Sequence, residues 1–241
     1  MRHSLALLAL AGCDYVIGIN NDVPVRIGDA FIMHDEDHDG IDDARDPCPA
    51  DAEDPPNDSD GDGVGEACDP DNGQQNTIAR FDSFVANDGF TFPSTWSIEN
   101  DVLSTTNTMS KAQSPIEQSG GAIDARIQDI TVPQAMDGNV ALLAFVGGIE
   151  IRCNIERTAD NSVLLEGVLN GTTVGIATLA SSVKLRVLLR VITNTRAECS
   201  VPRDSAYVEI TGDFEPTITD YGIAADNAAT TVSSITVFGV K

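Results

Sequence analysis

The 241-residue sequence predicts an all-β protein, with a β-sandwich over residues 80–241 and an irregular acidic segment ahead of it. Three observations carry this prediction. Stretches that alternate apolar and polar residues recur after residue 80, with turn residues between them. The sequence lacks a long stretch with the apolar spacing of an amphipathic helix. The segment at 35–71 instead repeats carboxylates at fixed intervals and has too few apolar residues to form a core.

Alternation along individual segments predicts the strands of the sandwich, because successive side chains of a strand point to opposite faces. Residues 122–132 and 183–192 show this alternation clearly. Asn170-Gly171 predicts a tight turn between two further strands. The segment 183–192 separates apolar from basic side chains, with Leu185, Val187, Leu189 and Val191 on one face and Lys184, Arg186 and Arg190 on the other.

The charge of the chain restricts its partners. The sequence has 38 Asp and Glu against 14 Lys and Arg, which gives a formal net charge of -24 at pH 7 and a pI near 4.1. Of these acids, 19 lie before residue 75, so the first third of the chain is the most densely charged part. This balance repels phosphates and therefore excludes nucleic acid as a partner. It favours cation binding or a purely solvating role.

The first residues have the outline of an export signal, because a basic start precedes an apolar run over residues 5–11. The run ends in the letters LAGC, closing at Cys13. These four residues resemble the lipobox of bacterial lipoproteins. The resemblance implies a signal peptide at 1–12, a lipid on Cys13, a linker at 13–34, and a mature chain anchored to the membrane of the cell envelope, on the outer membrane or cell surface. An ordinary signal peptide is the alternative.

Five cysteines give a further indication of export. If Cys13 carries a lipid, four cysteines remain, an even number that suits disulfides in an exported protein. Four cysteines allow three pairings. Proximity along the chain favours Cys48 with Cys68 and Cys153 with Cys199.

The acidic segment contains one loop pattern twice. Each copy has oxygen-bearing side chains at positions 1, 3, 5, 9 and 12, Gly at position 6 and a backbone carbonyl at position 7. A calcium loop requires these features, since calcium accepts about six to eight oxygen ligands in a flexible geometry. The predicted ligands are Asp35, Asp37, Asp39, Ile41, Asp43 and Asp46 in the first loop and Asp58, Asp60, Asp62, Val64, Glu66 and Asp69 in the second.

The sequence around the loops separates two families of calcium loop. An EF-hand needs flanking helices and Glu at position 12, whereas here position 12 is Asp and the flanks are rich in Pro. Residues 35–71 instead resemble thrombospondin type 3 repeats in their acid spacing and in their Gly and Cys positions. The resemblance implies a chain wrapped around calcium ions and closed by a Cys48–Cys68 disulfide, and a linker at 72–79 follows. The alternative is a disordered acidic linker.

Two histidines lie within the first loop or next to it. His34 and His38 fall outside the ligand positions of the calcium pattern, so we expect both to face solvent rather than to bind zinc.

Three short motifs in the C-terminal region carry a second resemblance. They are FDSF at 81–84, STWSIENDVLS at 94–104, and a closing Gly- and Asn-containing segment at 221–240. Together they resemble the concanavalin A-like (laminin-G type) jelly-roll superfamily. The resemblance implies two packed antiparallel sheets, and we expect Trp96 to fill the core between them.

The same region has no recognisable catalytic constellation, and we expect it not to be an enzyme. Glucanases of that superfamily carry an E-x-D-x-E type strand, whereas EIRCNIE has Glu150 and Glu156 with no acid between them. Every His lies at or before residue 38, which excludes a Ser-His-Asp or Cys-His arrangement in the sandwich. Candidate loop ligands for a sugar or an ion are Asp220 with Tyr221, or Asp226 with Asn227.

These features predict a calcium-binding, lipid-anchored protein of the cell envelope that acts in surface recognition or adhesion through a glycan-binding type of β-sandwich. Two alternatives remain open. One is a structural envelope protein whose sandwich docks a partner protein. The other is a glycoside hydrolase with a divergent site.

Overall fold

The computed structural model describes residues 34–52, 57–106, 109–181 and 183–241. Fourteen β-strands and a single 3-10 turn, Pro202–Asp204, form its regular structure. None of the described residues forms a helix long and apolar enough to cross a membrane. The strands are β1 (Asn76–Asp82), β2 (Trp96–Glu99), β3 (Val102–Thr105), β4 (Ser110–Ser119), β5 (Gly121–Thr131), β6 (Gly138–Val146), β7 (Ile149–Arg157), β8 (Val163–Leu169), β9 (Thr172–Leu179), β10 (Leu185–Thr193), β11 (Arg196–Val201), β12 (Ala206–Thr211), β13 (Thr217–Asp226) and β14 (Ala229–Val240).

The strands form two antiparallel sheets that pack face to face. One sheet has eight strands in the order β12-β11-β10-β5-β14-β3-β2, and β1 also pairs with β14 in this sheet. The other sheet has six strands in the order β4-β13-β6-β7-β8-β9. Early and late strands are neighbours in both sheets, which ties the two ends of the sandwich together. The predicted all-β sandwich is confirmed.

Alternating side chains fill the space between the sheets. In β10, Leu185, Val187, Leu189 and Val191 all lie in the core, on the face that their spacing predicts. Trp96 is also buried in the core, as expected, and its indole N–H donates to a serine hydroxyl at 2.8 Å. The turn at Asn170-Gly171 joins β8 to β9 and has positive φ at both residues, as an Asn-Gly hairpin requires.

Two disulfides have the pairing that proximity favoured. Cys153 in β7 is bonded to Cys199 in β11, so this disulfide links the two sheets through the core, with a Cα–Cα distance of 5.3 Å. Cys48 is bonded to Cys68 within the acidic segment, with a Cα–Cα distance of 5.5 Å. Cys13, the predicted lipidation site, lies outside the described residues.

The acidic segment packs against the sandwich. We call residues 34–52 and 57–75 the acidic module. The expected linker at 72–79 contributes its last four residues to β1, which pairs with β14. The module lies on the outer face of the eight-stranded sheet through a small apolar cluster formed by Cys48, Val64, Cys68, Ala122, Leu188 and Phe238.

Candidate metal loops and candidate binding face

The two acidic loops, residues 35–46 and 58–69, share one backbone conformation. Position 4 is left-handed in both loops, with φ of 65° at His38 and 77° at Gly61. Position 6 is left-handed as well, with φ of 95° at Gly40 and 93° at Gly63. Residues other than Gly rarely adopt the backbone angles seen at position 6, which explains why Gly occupies this position in both loops. The sequence repeat is therefore a structural repeat.

Backbone N–H groups orient the carboxylates within each loop. In the first loop, Asp35 accepts from the N–H groups of Asp39 and Gly40 at 3.2 and 3.0 Å. Asp39 accepts from the N–H of Ile41 at 2.7 Å. The second loop repeats these three bonds at the equivalent positions, at 3.2, 2.9 and 2.7 Å. Each loop thus folds around its own acidic side chains, as Asp-rich turns do.

Three carboxylates converge in each loop. Their oxygens lie within 4.8 Å of one another in the groups Asp35, Asp37, Asp39 and Asp58, Asp60, Asp62. Within the two loops, three buried carboxylate oxygens have no hydrogen-bond partner among the described residues: Oδ2 of Asp37, Asp46 and Asp60. A buried oxygen without a partner is costly, and a bound cation would satisfy it. The residues present therefore fit a metal, and both groups can hold a metal ion.

Crowding changes the acidity of these carboxylates. Burial raises the pKa of Asp46 to about 6, and the charges of neighbouring Asp side chains add to the effect. Desolvation and nearby carboxylates also raise the pKa of Asp37 and of Asp60. By contrast, the backbone N–H of Gly63 helps to hold the pKa of Asp58 below its usual value. A divalent cation would favour the ionised form of every one of these groups.

The side chains at position 9, Asp43 and Glu66, do not belong to the convergent groups. Asp43 accepts from the backbone N–H of Glu36 at 2.9 Å and lies 2.9 Å from His34 Nδ1. Glu66 accepts from the backbone N–H of Ser59 at 2.9 Å. Both side chains thus contact neighbours beside the convergent groups, and their role as metal ligands stays a prediction.

The remaining predicted ligands lie at positions 7 and 12. Asp46 accepts from the N–H of Cys48 at 2.7 Å through one oxygen, which leaves its other oxygen unpaired. Asp69 accepts from the side-chain amide of Asn76 at 3.0 Å. The metal-binding roles of Asp46 and Asp69, and of the position-7 carbonyls of Ile41 and Val64, also stay predictions.

The two histidines differ. His38 is exposed, as expected. The expectation was wrong for His34, which is half-buried because the loop folds back and places its ring against Asp43. This contact and two nearby acids raise the pKa of His34, although burial opposes the rise.

Arginines on the outer face of the eight-stranded sheet hold the acidic module in place. Arg186 donates to the backbone carbonyls of Ala67 and Cys68 at 2.5 and 2.8 Å, and to the buried carboxylate of Asp124 at 2.6 Å. Arg190 donates to a further carbonyl of the module at 2.6 Å. The sequence places Arg186 and Arg190 on the outer face, but it does not show that the module covers them.

A third arginine completes this contact. Arg126 of β5 forms a tight ion pair with Asp51 of the module, and its Nε lies 3.5 Å from Asp124. The available sequence signal was the alternation of basic residues along strands of a strongly acidic chain. The structure explains that alternation, because the outward-facing basic residues bind the acidic module.

The outer face of the six-stranded sheet carries no part of the acidic module among the described residues. We call it the open face, and its strands lie in the order β4-β13-β6-β7-β8-β9. Lys111 lies 4.7 Å from the ring centre of Phe145 and 3.6 Å from Glu150. Arg152 donates to Glu150 at 2.6 Å. Around these residues the open face is polar, and the aromatic ring of Phe145 beside them is partly exposed.

The carboxylates of the open face do not form a glycosidase pair on one strand. Glu150 and Glu156 share a face of β7, and six residues of strand place them about 20 Å apart. A pair of catalytic carboxylates needs about 5–9.5 Å. Glu156 instead adjoins Glu166 of β8, and burial together with the charge of Glu166 raises the pKa of Glu156.

The four candidate loop ligands near residue 220 are placed differently from the sequence prediction. Asp220 and Tyr221 lie within β13, not in a loop, and Asp226 is the last residue of that strand. Tyr221 is fully buried and donates its hydroxyl hydrogen to Asp82. Burial and the Asp82 charge raise the pKa of Tyr221 far above its usual value. Tyr221 is thus a core residue, and only Asn227 lies in a turn.

Comparison with known proteins supports the fold. No protein-family model and no curated protein matches the chain. Among solved structures, the CBM2 module of the evolved Dit protein of Lactobacillus casei BL23 phage J-1 superposes with a TM-score of 0.55, at 8% identity, over 69% of this chain and 97% of that chain. The catalytic domain of a laminarinase from Thermotoga petrophila gives a TM-score of 0.52, at 10% identity, over 70% of this chain and 99% of that chain.

A third structure has the same architecture. Porphyranase B from Zobellia galactanivorans gives a TM-score of 0.50, at 10% identity, over 71% of this chain and 96% of that chain. At these identities the likeness establishes the fold alone. The C-terminal region is a concanavalin-like jelly-roll sandwich, as its sequence motifs predict.

Proposed function

We propose that this protein is a calcium-loaded, lipid-anchored recognition protein of the bacterial cell envelope, whose sandwich binds glycans. The observation that carries the proposal is the docked double loop. Two copies of one loop each bring three carboxylates within 4.8 Å, and arginines fix the acidic module that contains them to the sandwich. Such an arrangement couples a bound cation to the position of a binding domain.

Calcium is the cation that suits these loops. Their donors are oxygens alone, whereas zinc prefers nitrogen and sulfur ligands. Magnesium needs a rigid octahedron and usually retains several waters. Flexible loops with five or more oxygen positions suit the larger ion. Calcium modules outside the cell often bind at about 10⁻⁴–10⁻³ M, which favours a structural role for the ion here.

The open face is the proposed glycan surface. It offers the ring of Phe145, which is partly exposed, and the amide side chains of Gln113 and Asn154. The side-chain oxygens of both amides are buried and have no hydrogen-bond partner among the described residues. Sugars are recognised by such amide groups beside an aromatic ring. The folds of the carbohydrate-binding module and of the two hydrolases support this assignment.

The first test is a glycan array probed with the purified protein in calcium and in EDTA. We expect binding to selected glycans in calcium and loss of that binding in EDTA. Asp60→Asn in the second loop should weaken binding, and Asp213→Asn, an exposed acid of the sandwich, is the matched control. Binding that is equal in calcium and EDTA would exclude the calcium coupling, and an array without any bound glycan would exclude the glycan assignment.

Anchoring has a separate test, because Cys13 lies outside the described residues. We expect the native chain to partition into detergent with membrane lipoproteins and Cys13→Ser to appear in the soluble fraction. Mass spectrometry of the N-terminal peptide should find diacylglycerol on Cys13. An unmodified N-terminal peptide from the membrane fraction would contradict the anchor.

A further inference from the structure

A cleft of about 490 Å³ lies at the seam between the acidic module and the eight-stranded sheet. We call it the seam cleft. The module supplies the acids Glu36 and Asp51 to its wall, and β5 and β10 supply Arg126 and Arg186. The seam cleft is thus built from two parts of the chain that the sequence separates widely, and it is distinct from the open face.

The charge of the seam cleft is opposite to that of the whole protein. Four cationic side chains and two carboxylates line it, whereas the chain as a whole has 14 Lys and Arg against 38 Asp and Glu. Two of these cations already contact the module, through the Arg126–Asp51 ion pair and the bonds of Arg186. In a protein of such negative charge, a locally cationic cleft attracts anions that the rest of the surface repels.

The other two cations, Lys184 and Arg203, are exposed at the edge of the seam cleft. Neither forms an ion pair with a residue in the described part of the chain. Lys184 also has φ of 51°, in the left-handed region that Lys rarely adopts, and its N–H donates to the carbonyl of Gln128 at 3.0 Å. Backbone strain of this kind concentrates at functional sites, and here it lies at the mouth of the cleft, at a cation without an ion pair among the described residues.

The floor of the seam cleft contains two consecutive serines that a bulge turns to the same side. The register of β14 against β5 shifts between Val232 and Ser234, so Ser233 is an extra residue in the strand. Ser233 accepts from Gln128 at 2.9 Å. Ser234 is almost fully buried, and its hydroxyl has no hydrogen-bond partner among the described residues. Bulges that re-aim polar side chains in this way are common next to binding sites.

We propose that the seam cleft binds an anionic saccharide unit, with its carboxylate or sulfate against Lys184 and Arg203 and a sugar hydroxyl on Ser234. The volume suits one or two sugar rings, since ligand sites of small molecules start near 300 Å³. Carboxylate and sulfate share the chemistry that these cations recognise. The inference rests on one part of the proposed function, the metal-loaded acidic module, because this module forms one wall of the cleft.

The test is titration calorimetry of the full chain in calcium with three probes: glucuronic acid, galactose 6-sulfate and neutral galactose. We expect binding of one or both acidic sugars, weaker binding at higher salt, and no binding of galactose in the cleft. The double variant Lys184→Gln/Arg203→Gln should weaken the acidic sugars at least about tenfold. Both residues are exposed, so the variant should unfold at the same temperature as the native chain.

A matched control separates site binding from general attraction. Arg196, an exposed cation of the same sheet, is paired with Glu209 and lies outside the cleft. Arg196→Gln should leave the affinity unchanged. An equal loss in Arg196→Gln, or full affinity in the double variant, would overturn the inference. Ser234→Ala provides a second variant, with an expected loss of about threefold to tenfold for acidic sugars.

The neutral glycans of the array and the acidic sugars of the titration separate the open face from the seam cleft. If the array shows calcium-dependent glycans and the double variant binds acidic sugars normally, the seam cleft is wrong and the proposed function stands. If the array shows no neutral glycan, while the native chain binds the acidic sugars and the double variant loses them, the assignment of glycan binding to the open face fails and the seam cleft stands.

Discussion

Arg186→Met is the sharpest test of how the acidic module is held. The side chain of Arg186 is 17% exposed and donates to Asp124, whose side chain is 3% exposed. It also donates to two carbonyls of the module, at 2.5 and 2.8 Å. Removing one partner of a buried ion pair costs about 3–5 kcal/mol, because the other charge is left buried without its partner. Arg126 remains 3.5 Å from Asp124, so we expect about 3 kcal/mol.

Thermal unfolding in calcium measures this loss. For a chain of this size, about 3 kcal/mol lowers Tm by roughly 6–12 °C. Arg196→Met is the matched control, since Arg196 and Glu209 form an exposed pair at 2.7 Å that should contribute no more than about 1 kcal/mol. Adding Asp124→Asn to Arg186→Met should restore part of the lost stability, because the buried charge is then gone.

Two results would refute this reasoning. One is a loss of stability in Arg186→Met no larger than that in Arg196→Met. The other is a double variant that is less stable than Arg186→Met alone. Hydrogen exchange locates the effect, since the amides of the acidic module should exchange faster in Arg186→Met while those of the six-stranded sheet stay protected.

Three further predictions concern the metal, the pH and the disulfide. Excess EDTA should lower Tm and increase the radius of the chain in solution scattering, because the carboxylates then repel one another. Asp37→Asn should reduce the calcium-induced rise in Tm, whereas the control Asp213→Asn should not. An unchanged Tm and radius in EDTA would contradict the metal loops. Burial raises the pKa of Glu36 to about 7 and that of Asp46 to about 6. When EDTA has removed the metal, the folded chain should therefore bind more protons than the unfolded chain between about pH 4 and 7. Stability without metal should therefore fall as pH rises from 5 to 7.5, and a higher Tm at pH 7.5 than at pH 5 would contradict it; calcium should reverse the trend, because protons compete with the ion. Cys153→Ala/Cys199→Ala should cost about 2–5 kcal/mol in urea unfolding, and a loss below about 1 kcal/mol would show that the disulfide between the sheets adds little to stability.

Local sequence signals predicted the sandwich well. The alternation over residues 183–192 identified the core face of β10, and the Asn170-Gly171 turn identified the β8–β9 hairpin. Periodicity and turn chemistry are properties of neighbouring residues, so a single sequence contains them. The same holds for the loops, because Gly at position 6 and alternate Asp residues determine the shared backbone of 35–46 and 58–69.

Contacts between distant segments were the part that the sequence did not show. The docking of the acidic module depends on Arg186 reaching Ala67 and Cys68, residues more than a hundred positions away. The sequence likewise suggested that Tyr221 lies in a loop beside Asp220. Its buried position depends on Asp82 of the first strand, which is far away in the sequence. Neither pairing follows from spacing, since only the strand order of the finished sheets brings these residues together.

The acidic module also explains why a metal ion would stabilise this fold. Its apolar contact with the sandwich consists of six side chains around one disulfide, which is little burial for a segment of that length. Its carboxylates repel one another, and several have raised pKa values because the fold crowds them. Arginine contacts hold the module from one side only. A cation in each loop would remove this repulsion, so metal binding and docking should stabilise each other. Loss of the metal should therefore release the module from β10 and open the seam cleft at the same time.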